Sequence, residues 1–457
     1  MTRVPTGRAL FGTDGVRGIA NRDLTPELAL ALGRVLGARL PAGARVLIGR
    51  DTRRSGPMLE AALAAGLSSV GAHAAVAGVL PTPAVAELVA EGDFAAGAVI
   101  SASHNPFPDN GIKVFAPDGR KLPDAEEEAI EAAMDEDGPR PEGGDVGRVE
   151  PWDEASRRYA DRLAGRFALD LSGLRIAVDC AHGATAGAAP EVLRRLGAEP
   201  TLLGVEPDGL NINDGCGSTD LAALVALVEH GGHDLGIAFD GDGDRVLAVD
   251  GAGEPVDGDQ ILAVIALWAR ERGRLPGDAV VTTTMTNLGF RRAMAERGIE
   301  VRWTDVGDRY VIEEMLRGGF LLGGEQSGHI INLDHGPTGD GLSCALQLLA
   351  ALQASGQSLG EAAAVMTRLP QRLLSVQVAR KGDLERADAV WQHVRGFEAA
   401  MGEEGRVVVR ASGTEPLVRV MVEAPTAEEC ERWCATIAEA AVRELGNPVG
   451  GLAEAPE

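Results

Sequence analysis

Apolar residues recur along this chain in two alternating rhythms. Short runs such as RVLIG (45–49) and GAVIS (97–101) are dense in β-branched and small apolar residues, the composition of a strand buried on both faces. Between them, residues 55–71 carry apolar positions at helical spacing, with Ser55 placed to cap the start and Gly71 to stop the end. Strands separated by helices predict parallel α/β sheets. The pattern restarts at 174–187 as strand, loop and helix, and again at 278–287, with a helix expected over 288–297. Polar or glycine-rich breaks at 135–145 and 269–278 mark two of the joints. Three α/β units of similar topology are expected.

The end of the chain follows a different rhythm. Residues 375–380, 406–412 and 417–424 alternate with period two, as half-exposed strands do. A helix should follow, opened by a capping box of Thr426 and Glu429. The fold class expected is α/β: three topologically similar α/β domains, then a smaller α+β C-terminal domain, around a central cleft. The expected boundaries are 1–155, 156–255, 256–370 and 371–446, with 447–457 a flexible tail.

Charge narrows the partners. The formal net charge of −25 argues against wrapping a nucleic-acid backbone or lying on an anionic membrane. It leaves room for a small anionic substrate met by local arginines. Cys180, Cys216, Cys344, Cys430 and Cys434 are scattered and odd in number, which fits buried free thiols in a reducing compartment. The first residues show no apolar secretory core, and the longest apolar runs fall well short of the roughly 18 residues of a membrane span. A soluble, cytoplasmic protein is expected.

Five stretches carry candidate chemistry. FDGDGDRVLAV (239–249) sets Asp240, Asp242 and Asp244 between glycines. In a locally extended chain these carboxylates point one way and repel unless a hard cation such as Mg²⁺ sits among them. An EF-hand is excluded, because its sixth and twelfth positions would be Arg245 and Gly251. RASGTEPLVRVMVE (410–423) supplies guanidinium, hydroxyl and backbone donors from Arg410, Ser412, Gly413, Thr414 and Arg419, a set suited to phosphate. GGEQSGHI (323–330) brings Glu325, Ser327 and His329 into one loop, a mixture suited to sugar hydroxyls. FGTDGVRG (11–18) places Asp14 and Arg17 in a glycine-rich turn. ISASHNPFPDNGIKV (100–114) offers Ser101, Ser103, His104 and Lys113. A serine nucleophile needs a base or a metal, and the local residues do not choose between Ser101 and Ser103. Each stretch alone is also a polar turn. Together they suggest phosphoryl transfer on a sugar phosphate.

Over nearly the whole chain these motifs, in this order, resemble the α-D-phosphohexomutases. ISASHNP and GEQSGH look like the amino-sugar branch. The phosphomannomutase/phosphoglucomutase branch more often has TGSHNP and a GEMS-type loop. The resemblance implies a phosphoserine at Ser103, one Mg²⁺ held by that phosphate with Asp240, Asp242 and Asp244, and Glu325, Ser327 and His329 on the sugar. It implies Arg410, Ser412, Gly413, Thr414 and Arg419 on the non-reacting phosphate. Lys113 is implied as general acid/base, with His104 beside the serine and Arg17 and Arg245 as supporting cations. Such a lysine would need a lowered pKa. The implied reaction interconverts glucosamine 6- and 1-phosphates through glucosamine 1,6-bisphosphate, which is also an activator, and feeds UDP-N-acetylglucosamine synthesis. The implied partner is a small hexosamine phosphate, and the implied assembly is a homodimer. The rival readings are a phosphomannomutase/phosphoglucomutase and a non-catalytic phosphosugar-binding protein. Ser101→Ala is expected to stay active where Ser103→Ala is not.

Overall fold

The computed structural model describes residues 10–446 apart from 13, 139 and 413–415, so the expected tail at 447–457, Gly413 and Thr414 lie outside the described residues. The chain forms two compact units. One comprises the described residues up to Met285 together with Gly298–Val365; the other comprises Thr286–Arg297 and the described residues from Met366 onward.

The first unit holds three sheets. In spatial order the first runs Phe11–Gly12, Gly15–Ile19, Asp109–Phe115, Ala96–Ile100, Arg45–Arg50, His73–Val79, Val149–Pro151. The second runs Pro255–Val256, Val246–Asp250, Leu235–Phe239, Ile176–Asp179, Thr201–Leu203. The third runs Glu300–Thr304, Ala279–Thr283, Leu322–Gly324, Ile330–Asn332. Each contains the same four-strand pattern. A central strand has one parallel neighbour on either side, and the second of these turns back into an antiparallel hairpin. The expected similarity of the three units is therefore real, although no repeat is visible in the sequence.

That topology places the chemistry. The serine stretch, the aspartate stretch and the GEQSGH stretch each occupy the hairpin turn of their own sheet: after Ala96–Ile100, after Leu235–Phe239 and after Leu322–Gly324. In an α/β sheet the carboxyl ends of parallel strands are where ligands sit, because side chains there converge without being needed for packing.

The strands form because their apolar residues are covered by helices. Ala96–Ile100 and Leu235–Phe239 are buried throughout. Helices Pro26–Arg39 and Gly56–Ser68 pack backbone to backbone through Gly33 and Gly66. A Cβ at either would lie 2.2 Å from a carbonyl of the other helix. Ser55 precedes the second helix but makes no side-chain cap; its hydroxyl accepts from Asn110 Nδ2 at 2.8 Å, so the expected cap instead ties the helix to a strand. The acidic break at 135–145 is not a joint between sheets, because Val149–Pro151 beyond it still pairs with His73–Val79.

The second unit contains an antiparallel sheet in the order Gln371–Gln377, Leu417–Glu423, Arg406–Ala411. The helix Ala427–Leu445 covers it, with Thr426 accepting from Glu429 N at 3.2 Å as its cap. All five cysteines are buried and free. Among the described residues no helix is long and apolar enough to cross a membrane.

Candidate active site

The aspartate stretch is a turn rather than an extended segment. Gly243 turns it at φ +78°, and the backbone N–H groups of Gly243 and Arg245 donate to Asp240 Oδ1 at 3.1 and 3.2 Å. The expected extended geometry is thus corrected, yet the carboxylates still converge: one oxygen from each of Asp240, Asp242 and Asp244 lies within 4.8 Å of the others. All three are buried. Asp242 Oδ2 accepts from Thr82 Oγ1 at 2.7 Å and from Lys113 Nζ at 3.0 Å. Asp242 Oδ1 and Asp244 Oδ1 are buried without a hydrogen-bond partner. Burial, and then the charges of Asp244 and Asp242, push the Asp240 carboxyl well above its ordinary range. Two orphaned oxygens in an all-carboxylate set fit a hard divalent cation.

The serine turn meets this trio. Ser103 Oγ donates to Asp240 Oδ2 at 2.5 Å and lies 3.3 Å from His104 Nδ1. Gly241 makes the approach possible, since a Cβ there would sit 2.6 Å from the Ser103 carbonyl oxygen. Burial, then the nearby Arg245 and Arg17, lower His104 to about 4, so its imidazole is neutral near neutral pH. Ser101 is equally buried but faces elsewhere. Its hydroxyl donates to Asp51 Oδ2 at 2.5 Å and accepts from the Ser103 N–H at 2.9 Å.

Lys113 is fully buried among carboxylates: Asp242 at 3.0 Å, Asp14 at 3.3 Å and Asp244 at 3.7 Å. Burial alone would lower its pKa. The negative charge of Asp14, Asp242 and Asp244 overrides burial and raises the pKa above the ordinary lysine value. The expectation of a lowered pKa is corrected: three carboxylates from two sheets hold this ammonium protonated.

The GEQSGH loop completes the group. His329 Nδ1 lies 3.6 Å from Asp244 Oδ2, and Nε2 lies 3.7 Å from Asp308 Oδ2. Burial opposes its charge, but Asp244 and Asp308 raise it to about 9. Lys121 joins Asp308 to Asp14, and Asp14 contacts Lys113 and Arg17. Lys113, Asp14, Lys121, Asp308, His329 and Asp244 thus close a ring of alternating charge. Glu325 Oε1 accepts from Gly307 N at 3.2 Å, and Ser327 is exposed. Arg245 is largely buried, with its Nε 3.9 Å from Asp244 Oδ1.

In the second unit, Arg410 and Arg419 are direct partners across the antiparallel pair. Lys381 Nζ donates to the Ser412 carbonyl at 2.8 Å, and Ser412 N donates to Leu417 O. Gly413 and Thr414 lie outside the described residues.

Several participants escaped the sequence reading: Asp51, Arg53, Thr82, Lys121, Asn213, Asp308 and Lys381. One signal was available. GRDTRRSG follows a buried strand directly, and charged residues at that end of a strand are not there for packing.

The chain matches four family models in succession: Phosphoglucomutase/phosphomannomutase alpha/beta/alpha domain I over 8–140, domain II over 157–253, domain III over 257–369 and the C-terminal domain over 373–440. It is 54% identical over 441 residues to a phosphoglucosamine mutase of Saccharopolyspora erythraea, covering 95% of this chain and 99% of the relative. It is 53% identical over 437 residues to one of an Arthrobacter species, covering 94% and 96%. A Phosphoglucomutase/phosphomannomutase family protein from Burkholderia thailandensis shares the fold, with TM-score 0.80 at 24% identity over 97% of this chain and 99% of that one. Similarity at this level along almost the entire length places the chain in the phosphoglucosamine mutase family.

Proposed function

We propose that the chain, an isomerase by family, interconverts glucosamine 6-phosphate and glucosamine 1-phosphate with Ser103 as its phosphoryl carrier. The observation that carries this reading is the Ser103 hydroxyl, buried and 2.5 Å from Asp240 within a trio of carboxylates. A phosphoserine there would be repelled unless a cation lay between the charges. Asp240, Asp242 and Asp244, with the phosphate on Ser103, would hold Mg²⁺, which when bound would draw charge from the transferring phosphoryl group.

The residues of the chain divide the other tasks. Phosphorylated Ser103 gives its phosphoryl group to the free hydroxyl of the sugar phosphate. The Oγ–P bond breaks as Lys113 protonates the departing Oγ, a sugar O–P bond forms, and the sugar hydroxyl proton passes to His104; the second transfer runs the same exchange in reverse. The glucosamine 1,6-bisphosphate so formed returns its other phosphoryl group to Ser103, and no outside donor is consumed. Lys113, protonated among its carboxylates, is the donor and counter-charge at Oγ. His104, neutral and 3.3 Å from Oγ, can accept a proton. Arg17 and Arg245 add positive charge. Glu325, Ser327 and His329 contact the sugar.

Arg410, Ser412, Gly413, Thr414 and Arg419 bind the phosphate that does not react. Arg410 and Arg419 stand directly opposite one another across a strand pair, and guanidinium groups set side by side suit bidentate recognition of a phosphate. Four domains bounded near 155, 255 and 370, a cytoplasmic location and a homodimer complete the proposal. Competing-substrate kinetics on the glucosamine, glucose and mannose 6-phosphates test the sugar. A kcat/KM favouring the sugars without an amine overturns the glucosamine assignment.

A further inference from the structure

Ser103 has φ +51°, in the left-handed region that a residue with a side chain occupies only when its surroundings hold it there. Every polar group of the residue is held. Its N–H donates to Ser101 Oγ at 2.9 Å. Its carbonyl accepts from Arg53 Nη2 and from Asn213 Nδ2, both at 2.9 Å. Its hydroxyl donates to Asp240. Ser101 is fixed in turn by Asp51, which accepts its hydroxyl at 2.5 Å and pairs with Arg53 Nε at 2.8 Å. Arg53 spends its remaining donors on the same turn, reaching the carbonyls of Asn105, Pro106 and Asp109. Ser101, Asp51 and Arg53 are each 0% exposed. An ion pair so deeply buried is weak evidence for stability, and a positioning role accounts for it better.

We propose that Asp51, Arg53 and Ser101 are positioning residues that set the left-handed backbone at Ser103 and so aim the phosphoryl carrier at Asp240. The inference rests on Ser103 being that carrier. It gives Ser101 a task that the sequence reading denied it. Ser101 never carries phosphate, yet its hydroxyl fixes the backbone of the residue that does. Without it, the Ser103 N–H is left buried and unpaired, and the left-handed turn loses one of its restraints.

The test compares wild type, Ser101→Ala and Ser101→Thr in the full chain. Phosphate on Ser103 is counted by peptide mass mapping after incubation with a hexose 1,6-bisphosphate. Turnover is then expressed per phosphorylated site, with thermal midpoints and amide exchange of the peptide containing Ser103 measured in parallel. Ser101→Ala is expected to lose about 10- to 100-fold in kcat with little change in KM, the scale of a displaced reacting group. Its Ser103 peptide should exchange faster. Ser101→Thr, which keeps the hydroxyl, should restore both. Ser101→Ala with wild-type kcat and exchange overturns the inference, and so does a loss in kcat that Ser101→Thr fails to restore. Wild type that takes no phosphate on Ser103 overturns the carrier assignment instead.

Discussion

Lys121 Nζ lies 2.7 Å from Asp308 Oδ2, and the same ammonium contacts Asp14. The two residues are 187 positions apart, and both are largely buried. Through this contact the first and third sheets of one unit share a charge, and the alternating ring from Lys113 to His329 is closed.

Removing that charge should be costly. Lys121→Met leaves Asp14 and Asp308 facing each other, and breaking one partner of a buried pair costs about 3–5 kcal/mol. Urea unfolding should show the loss, and Lys121→Met/Asp308→Asn should recover part of it, because a neutral pair has then been removed. Equal stability of Lys121→Met and wild type would show that the pair is not structurally coupled.

The metal assignment has a test away from the ligands themselves. Thr82 Oγ1 donates to Asp242 Oδ2 at 2.7 Å and so orients that carboxylate. Thr82→Val removes the donor with little change in volume. Outer partners of metal ligands are typically worth about 10- to 100-fold in affinity. Calorimetric titration with Mg²⁺ should show a loss of that order, and unchanged affinity would detach Thr82 from the site.

Gly241 is the close approach between the serine and aspartate turns. Gly241→Ala places a methyl 2.6 Å from the Ser103 carbonyl oxygen and 2.8 Å from Asn213 Nδ2. The turns must separate, and displacement of reacting groups by about 1 Å can cost about 100-fold in rate. Turnover should fall by that order while helix content is kept. A variant with full turnover would mean the two turns need not touch.

A pH effect on stability is expected from Asp340. Its carboxylate caps the helix Gly341–Ser355 through Ser343 N and accepts from Tyr159 OH. Burial, then the charge of Glu87, raises it to about 7. A carboxyl raised on folding stabilises the native state where it is protonated. Its contribution fades as pH climbs from the ordinary aspartate range toward about 7. The urea midpoint should therefore fall between about pH 4 and about pH 7 more steeply in wild type than in Asp340→Asn, with the difference between them flat above that. Parallel profiles would contradict the assignment.

How much of this was legible in the chain follows from the distance over which each feature is built. Asp240, Asp242 and Asp244 announced themselves because glycine-spaced carboxylates within five residues are costly without a cation. The three α/β units were visible because buried strands and amphipathic helices alternate locally. The residues of the stretch alone do not separate Ser101 from Ser103, because their different partners, Asp51 and Asp240, lie in remote segments that only the fold brings to them. The raised pKa of Lys113 is not legible in its own stretch for a similar reason: Asp14 and Asp242 are remote in sequence and meet it only in the fold. Lys121 and Asp308 were missed because nothing within either segment anticipates the other.

The central claim is that Ser103 carries the phosphoryl group. Mass mapping of the wild-type chain after incubation with a hexose 1,6-bisphosphate tests it most directly. The account predicts one phosphate, on the peptide containing Ser103 and absent from Ser103→Ala. Phosphate on Ser101, or full turnover with no phosphate on either serine, would contradict it.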